Sequence, residues 1–246
     1  MRVHFNAKHP IFGRSTKPLS LGYQQRSPYY WWWEFLRRNE EYSDCCRAGG
    51  KGALAALYFD FGDVLSGNFK EWWTKGERGA RLFGEQHLSV NLSELPNAAA
   101  WDVNWTPNSV MVVVVPLNLS KRDLQAKFAH LLKKRHGGKR GRKISNPTTA
   151  STAKYPLYRT VSIQTLRIQI EVYDMVMAKR RGELDITLAE IGEKMRLVKT
   201  AMPKSGDHPH DAEYKRNVLS STVSRHFKDA QRIISNTAIG QFPNSR

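Results

Sequence analysis

Apolar positions along the chain fall into short periodic stretches separated by Gly, Pro and basic residues, and the spacing predicts helices almost throughout. In "SPYYWWWEFLRRNEEYSDCC" Ser27 suits an N-cap, Pro28 the first helical position, and Glu34 precedes Arg37 and Arg38 by three and four residues. One helix is expected there, ending before Gly49-Gly50. A second runs through "GALAALYFDFGDV", and a third through "NFKEWWTKGERGARLFGE", with Phe69, Trp72, Trp73 and Leu82 facing a core. The first 26 residues lack periodicity and read as an extended arm that packs late or stays mobile. Between Ser109 and Val115 a β-branched run predicts a buried strand closed by Pro116; Ser120 then caps a helix with Leu124, Phe128 and Leu131 in one stripe.

Beyond residue 157 the pattern is wholly helical. Ile163, Leu166, Ile170, Tyr173 and Met177 recur at helical spacing up to a basic turn and Gly182. A short helix starts near Thr187, with Leu188, Ile191 and Met195 on one face. A later one, "LSSTVSRHFKDAQRIISN", lines up Val223, Phe227, Ala230 and Ile234. Two such helices suggest helix-turn-helix. The stretch between them, Val198 to Asn217, is longer than the 3–4-residue turn of the simple motif, so a winged or inserted variant is expected. The fold class is therefore mainly α (α+β): a helical N-terminal region with a short sheet, then a helix-turn-helix or winged-helix-like domain.

Charge divides the chain more sharply than hydropathy. Residues 1–110 hold 13 Lys and Arg against 11 Asp and Glu, and residues 111–246 hold 26 against 11, giving +17 overall. All seven tryptophans lie in the first 105 residues. We expect an aromatic-rich region at 1–136 for oligomerisation or partner binding, a basic Ser/Thr/Pro linker at 137–157, and a nucleic-acid-binding domain at 158–246. A basic balance favours polyanionic partners: duplex DNA first, RNA second. Membrane is disfavoured, because "VMVVVV" is far shorter than the roughly 20 residues that span a bilayer and the start has no secretory apolar core. A cytoplasmic protein is expected, and the adjacent Cys45 and Cys46 offer neither a disulfide framework nor a zinc spacing.

Two groups of residues carry candidate binding chemistry. On the last helix Ser221, Arg225, Lys228 and Arg232 point away from the apolar stripe, as a recognition helix requires, and Ser220, Ser221 and Thr222 are placed at its N-terminus to donate to a phosphate. The second group is the run from Lys133 to Lys143, with Lys133, Lys134, Arg135, Lys139, Arg140, Arg142 and Lys143 and no acid. Its "KRGRK" resembles the core of an AT-hook, with Lys143 where that motif usually has proline. The resemblance implies that Gly141 approaches the minor-groove floor while Arg140 and Arg142 enter it; a flexible phosphate-neutralising linker is the alternative.

Other constellations are weaker. His208 and His210 in "DHPHD" have a metal-compatible spacing, and Asp60, Asp63, Glu71 and His87 are the acids and histidine from which a metal-dependent nuclease site would be assembled. No metal site or cofactor is expected, and no catalytic residue is assigned. Trp31, Trp32 and Trp33 cannot share one helix face, so one ring should be partly exposed or meet another subunit. "SPYYWWWEFLRRNEEY" (27–42) resembles a segment, of the form Trp-Glu-Phe-Leu-Arg-Arg-Asn-x-x-Tyr, of poorly characterised bacterial proteins carried on plasmids, integrative elements and prophages. That resemblance implies a mobile-element or phage-defence setting. The expected function is a non-enzymatic DNA-binding regulator or accessory factor, with a nucleic-acid-processing enzyme or a structural subunit of a ribonucleoprotein or defence complex as alternatives.

Overall fold

A computed structural model describes residues 4–14, 16–85, 111–135, 151–160 and 162–246. The described residues are mainly helical, with one two-stranded antiparallel sheet among them, β1 (Gly13–Arg14) and β2 (Lys17–Pro18), pairing Gly13 with Pro18 and Arg14 with Lys17. The sheet thus lies in the N-terminal arm. The run from Met111 to Val115, expected to be a buried strand, has no regular secondary structure and is exposed except for the half-exposed Val113, with Val114 91% accessible, and no described strand pairs with it; residues 109 and 110 lie outside the described residues. A β-branched run becomes a strand only where a neighbour supplies the ladder.

The expected first helix is two. α1 (Leu21–Gln24) leads to α2 (Pro28–Arg37), whose Ser27 cap accepts from the Tyr29 amide, and α3 (Glu40–Arg47) follows. The break comes from Asn39, a strong N-cap type, whose backbone is extended and whose side chain accepts from the Tyr42 amide. α4 (Ala55–Phe61) is as expected. The third predicted helix splits into α5 (Phe69–Thr74) and α6 (Arg78–Phe83), because Gly76 at φ 57° and Glu77 at φ 52° turn the intervening 3-10 segment left-handed. All three rings of the Trp31–Trp33 run are buried, Trp32 completely, against the expectation that one would be left outside. α2 is covered all round: Trp32 meets Phe61, Phe83, Tyr155 and Phe242, Trp33 meets Phe69 and lies under the Arg37 guanidinium, and Trp31 donates to the Gln25 carbonyl at 2.8 Å. The N-terminal arm joins this packing, with Phe5 against Tyr29 and Trp73.

α7 (Lys121–Arg135) carries the expected Leu124–Phe128–Leu131 stripe, but those side chains are half-exposed and belong to no described core cluster. α8 (Ile163–Arg180), α9 (Leu188–Lys194) and α10 (Pro209–Ala238) pack together. α8 is buried on two sides: Leu166 and Ile170 enter the aromatic core, whereas Val172 and Val176 meet Ile191, Val223 and Phe227. Gly192 sits where α9 crosses α10; a Cβ there would lie 3.0 Å from Leu219 Cβ. The aromatic core therefore runs from α2 through Leu157 and α8 to Ala230, Ile233, Ile234 and Phe242, so residues on both sides of the expected linker share it. Arg38 grips Asp174 of α8 with two hydrogen bonds, of 2.7 and 2.6 Å.

Candidate nucleic-acid interface

α10 begins at Pro209, ten residues before the helix expected from the sequence. Ser220, Ser221 and Thr222 are consequently mid-helix, where amides are already bonded, and cannot form a phosphate-binding N-terminus. Thr222 is buried, and Ser221 Oγ donates to the Val218 carbonyl at 3.0 Å. The helix runs on toward its N-terminus because His208-Pro209 suits a first turn and Asp207 is held there by Lys215 Nζ, at 2.6 Å, and by the Lys204 amide. Asp207 is thus occupied, its carboxyl held below the usual range first by Lys215 and then by that amide. Among the described residues no three His, Cys, Asp or Glu gather where they could hold a metal.

The stripe itself is as expected. Val223, Phe227, Ala230 and Ile234 are buried, and Ser221, Arg225, Lys228 and Arg232 are exposed. At 3.6 residues per turn these four outward positions fall within an arc of about 60°. Arg225, Lys228 and Arg232 form no ion pair with any described residue; Arg232 reaches only the Ser245 carbonyl, at 3.5 Å. The line is electrostatically open, since the core does not require these cations and no described acid pairs with them. His226, beside Arg225 but turned inward, has its pKa pushed down by burial and then by the Arg225 charge, so a neutral ring underlies the basic face.

α9 is set by a capping box: Thr187 accepts from the Glu190 amide, and the Glu190 carboxylate accepts from the Thr187 amide. The connection at 195–208 holds a short 3-10 turn, Lys199–Ala201, and the described residues of this region form no strand to act as a wing. Of the second group, Lys133 and Lys134 are exposed in the last described turn of α7, and Arg135 is the last described residue of that helix. Lys139, Arg140, Arg142 and Lys143, with the AT-hook-like tripeptide, lie outside the described residues.

Sequence reasoning passed over the C-terminal turn of α8 as mere helix-end charge. There Arg181 pairs with Glu183, but Arg180 Cζ lies over the Phe227 ring, 4.5 Å from its centroid, with Tyr173 stacked on the same ring. The only sequence signal was the Lys179-Arg180-Arg181 run.

The acids of the first region do not converge. Asp60 accepts from Lys154 Nζ and from the Tyr155 hydroxyl, both at 2.6 Å; burial raises its carboxyl, but these two bonds outweigh it and hold the pKa below the usual range. Asp63 caps the Leu65 and Ser66 amides, Glu71 bonds Asn68, and His87 lies outside the described residues. No known protein family, curated protein or solved structure matches the chain. No described helix is long and apolar enough to cross a membrane.

Proposed function

We propose that the protein is a non-enzymatic binder of duplex DNA that engages the polyanion through the outward line of α10. The observation that carries this reading is the exposure of Arg225, Lys228 and Arg232 in one unpaired row on a helix whose opposite side is fully packed. Guanidinium forks suit guanine edges and phosphates, and α9 packs against α10 on the side away from the basic row. Lys133 and Lys134 add sequence-independent attraction, as do the basic residues that follow them. The resemblance of residues 27–42 to mobile-element and prophage proteins supports a regulatory or accessory role in that setting.

Binding of the full chain to duplex, followed by fluorescence anisotropy across salt concentrations, tests the reading. Affinity should fall linearly on a double-logarithmic plot, with a slope of about −0.9 per phosphate engaged. The triple variant Arg225→Ala, Lys228→Ala, Arg232→Ala should flatten that slope by about 2 to 3 while melting as the parent does. Salt-insensitive binding, or an unchanged slope in the triple variant, overturns it.

A further inference from the structure

The middle of α10, the C-terminal part of α8 and the start of α9 border a half-open pocket of about 330 Å³, whose lining includes Lys179, Arg180, Lys228, Val176, Leu188 and Phe227. Three cations stand around an apolar floor. None of the three forms an ion pair with a described residue, in contrast to Arg181, which Glu183 neutralises. Glu190 feels Lys179 only weakly: its carboxyl is held down first by the Thr187 amide at its own helix cap and last by Lys179. Basic residues at a helix end also answer the exposed carbonyls there. That role does not account for Arg180, whose guanidinium lies over the Phe227 ring instead.

We propose that this cavity is a phosphate-ester site: Lys179, Arg180 and Lys228 hold the phosphate oxygens, and the sugar attached to the phosphate rests on the Val176–Leu188–Phe227 floor. The guanidinium over the Phe227 ring is positioned before the ligand arrives, so less side-chain entropy is lost on binding. The apolar floor favours an ester over free inorganic phosphate, because inorganic phosphate covers none of it. Lys228 belongs both to this cavity and to the outward line of α10. A duplex lying along that line therefore places a backbone phosphate at the cavity mouth, and α8 supplies the contact that fixes the helix's register. The choice of that source rests on the DNA-binding reading; the phosphate-ester chemistry does not. The second source is a free nucleotide.

The test uses the full chain and the double variant Lys179→Gln, Arg180→Gln, with two probes. Deoxythymidine 5′-monophosphate binding is read by phosphorus-31 line broadening beside inorganic phosphate, and duplex binding by anisotropy. Broadening of the nucleotide well above that of inorganic phosphate, lost in the variant, establishes the site. If the variant also lowers duplex affinity and flattens the salt slope by about 1 to 2, the occupant is a DNA backbone phosphate. If duplex affinity is untouched, the occupant is a free nucleotide. Equal broadening by both anions, or no loss in the variant, overturns the proposal, even where duplex binding stands. Failure of the parent to bind duplex removes the DNA reading alone, and the nucleotide arm still decides the cavity. Lys179→Glu leaves the Arg180–Phe227 contact intact and must give the same loss, which separates ligand binding from damage to that contact.

Discussion

The region from α2 to α6 and the outer face of α10 use charge in opposite ways. In the first, Arg38 is answered by Glu34 and Asp174, and Arg37 by Glu34 and the Trp33 ring. On α10 Arg225, Lys228 and Arg232 stand in a row with no ion pair to any described acid, on the side opposite the packed stripe. A fold gains little from unpaired surface cations and loses through their mutual repulsion, which is why the proposed function assigns this row to a polyanion. The comparison predicts that stability and binding separate cleanly between the two regions.

The largest effect is expected where the core is most enclosed. Trp32→Ala removes a fully buried indole from contact with Phe61, Phe83 and Phe242, and should cost about 3–5 kcal/mol in chemical denaturation. Because the same core includes Ala230, Ile233 and Ile234 of α10, the loss should reach the C-terminal helices in one cooperative transition. Two separated transitions, with the α10 unit melting unaffected, would show that the shared core is not energetically shared.

A smaller effect is expected at the seam between the regions. Asp60→Asn breaks the bond to Lys154 and weakens that to Tyr155, and should cost about 1–3 kcal/mol. The seam also has two pH limbs. Asp60 is held below its unfolded pKa of about 3.9, so its contribution is present above that value and is lost as pH falls through the folded pKa. Tyr155 is pushed up by burial and then by the Asp60 carboxylate, so its contribution is full below about pH 10 and declines as pH rises beyond it. Asp60→Asn should flatten the acid limb of the stability curve; an acid limb identical to the parent's would assign acid sensitivity elsewhere.

Helix types and the α10 stripe were legible because both follow from local spacing: Ser27, Pro28 and the Thr187–Glu190 box mark starts, and Val223 to Ile234 marks a face. What was illegible depended on neighbours distant in sequence. Trp31 to Trp33 break the rule of one buried face only because the N-terminal arm, Tyr155, α8, α10 and Phe242 converge on α2. Asp60 looked like a free acid because Lys154 is far away along the chain. The start of α10 was misplaced because Asp207, Lys215 and the proline at 209 extend the helix through a stretch with no apolar stripe. The segment resembling mobile-element proteins is itself structural: Trp33, Phe35, Leu36 and Tyr42 are core, Arg38 ties to α8, and Asn39 both caps α3 and donates to the Ile234 carbonyl at 3.4 Å. Its likeness therefore points to a way of folding, not to a site.

The smallest effect is expected from Lys133 and Lys134, and it decides whether all unpaired cations are equivalent. These two sit in the last described turn of a helix whose stripe joins no described core cluster, so exchanging both for Gln should leave the denaturation curve within about 0.5 kcal/mol of the parent. If they only neutralise phosphates, the salt slope for duplex binding should flatten by at most about 2, equally for every DNA sequence. The α10 triple variant should behave differently, because its losses come from a helix fixed on a packed stripe and should be larger on a preferred sequence than on a random one. Equal, sequence-blind losses from both variants would mean that α10 neutralises charge as Lys133 and Lys134 do, and that the rigid placement of Arg225, Lys228 and Arg232 adds no reading of bases.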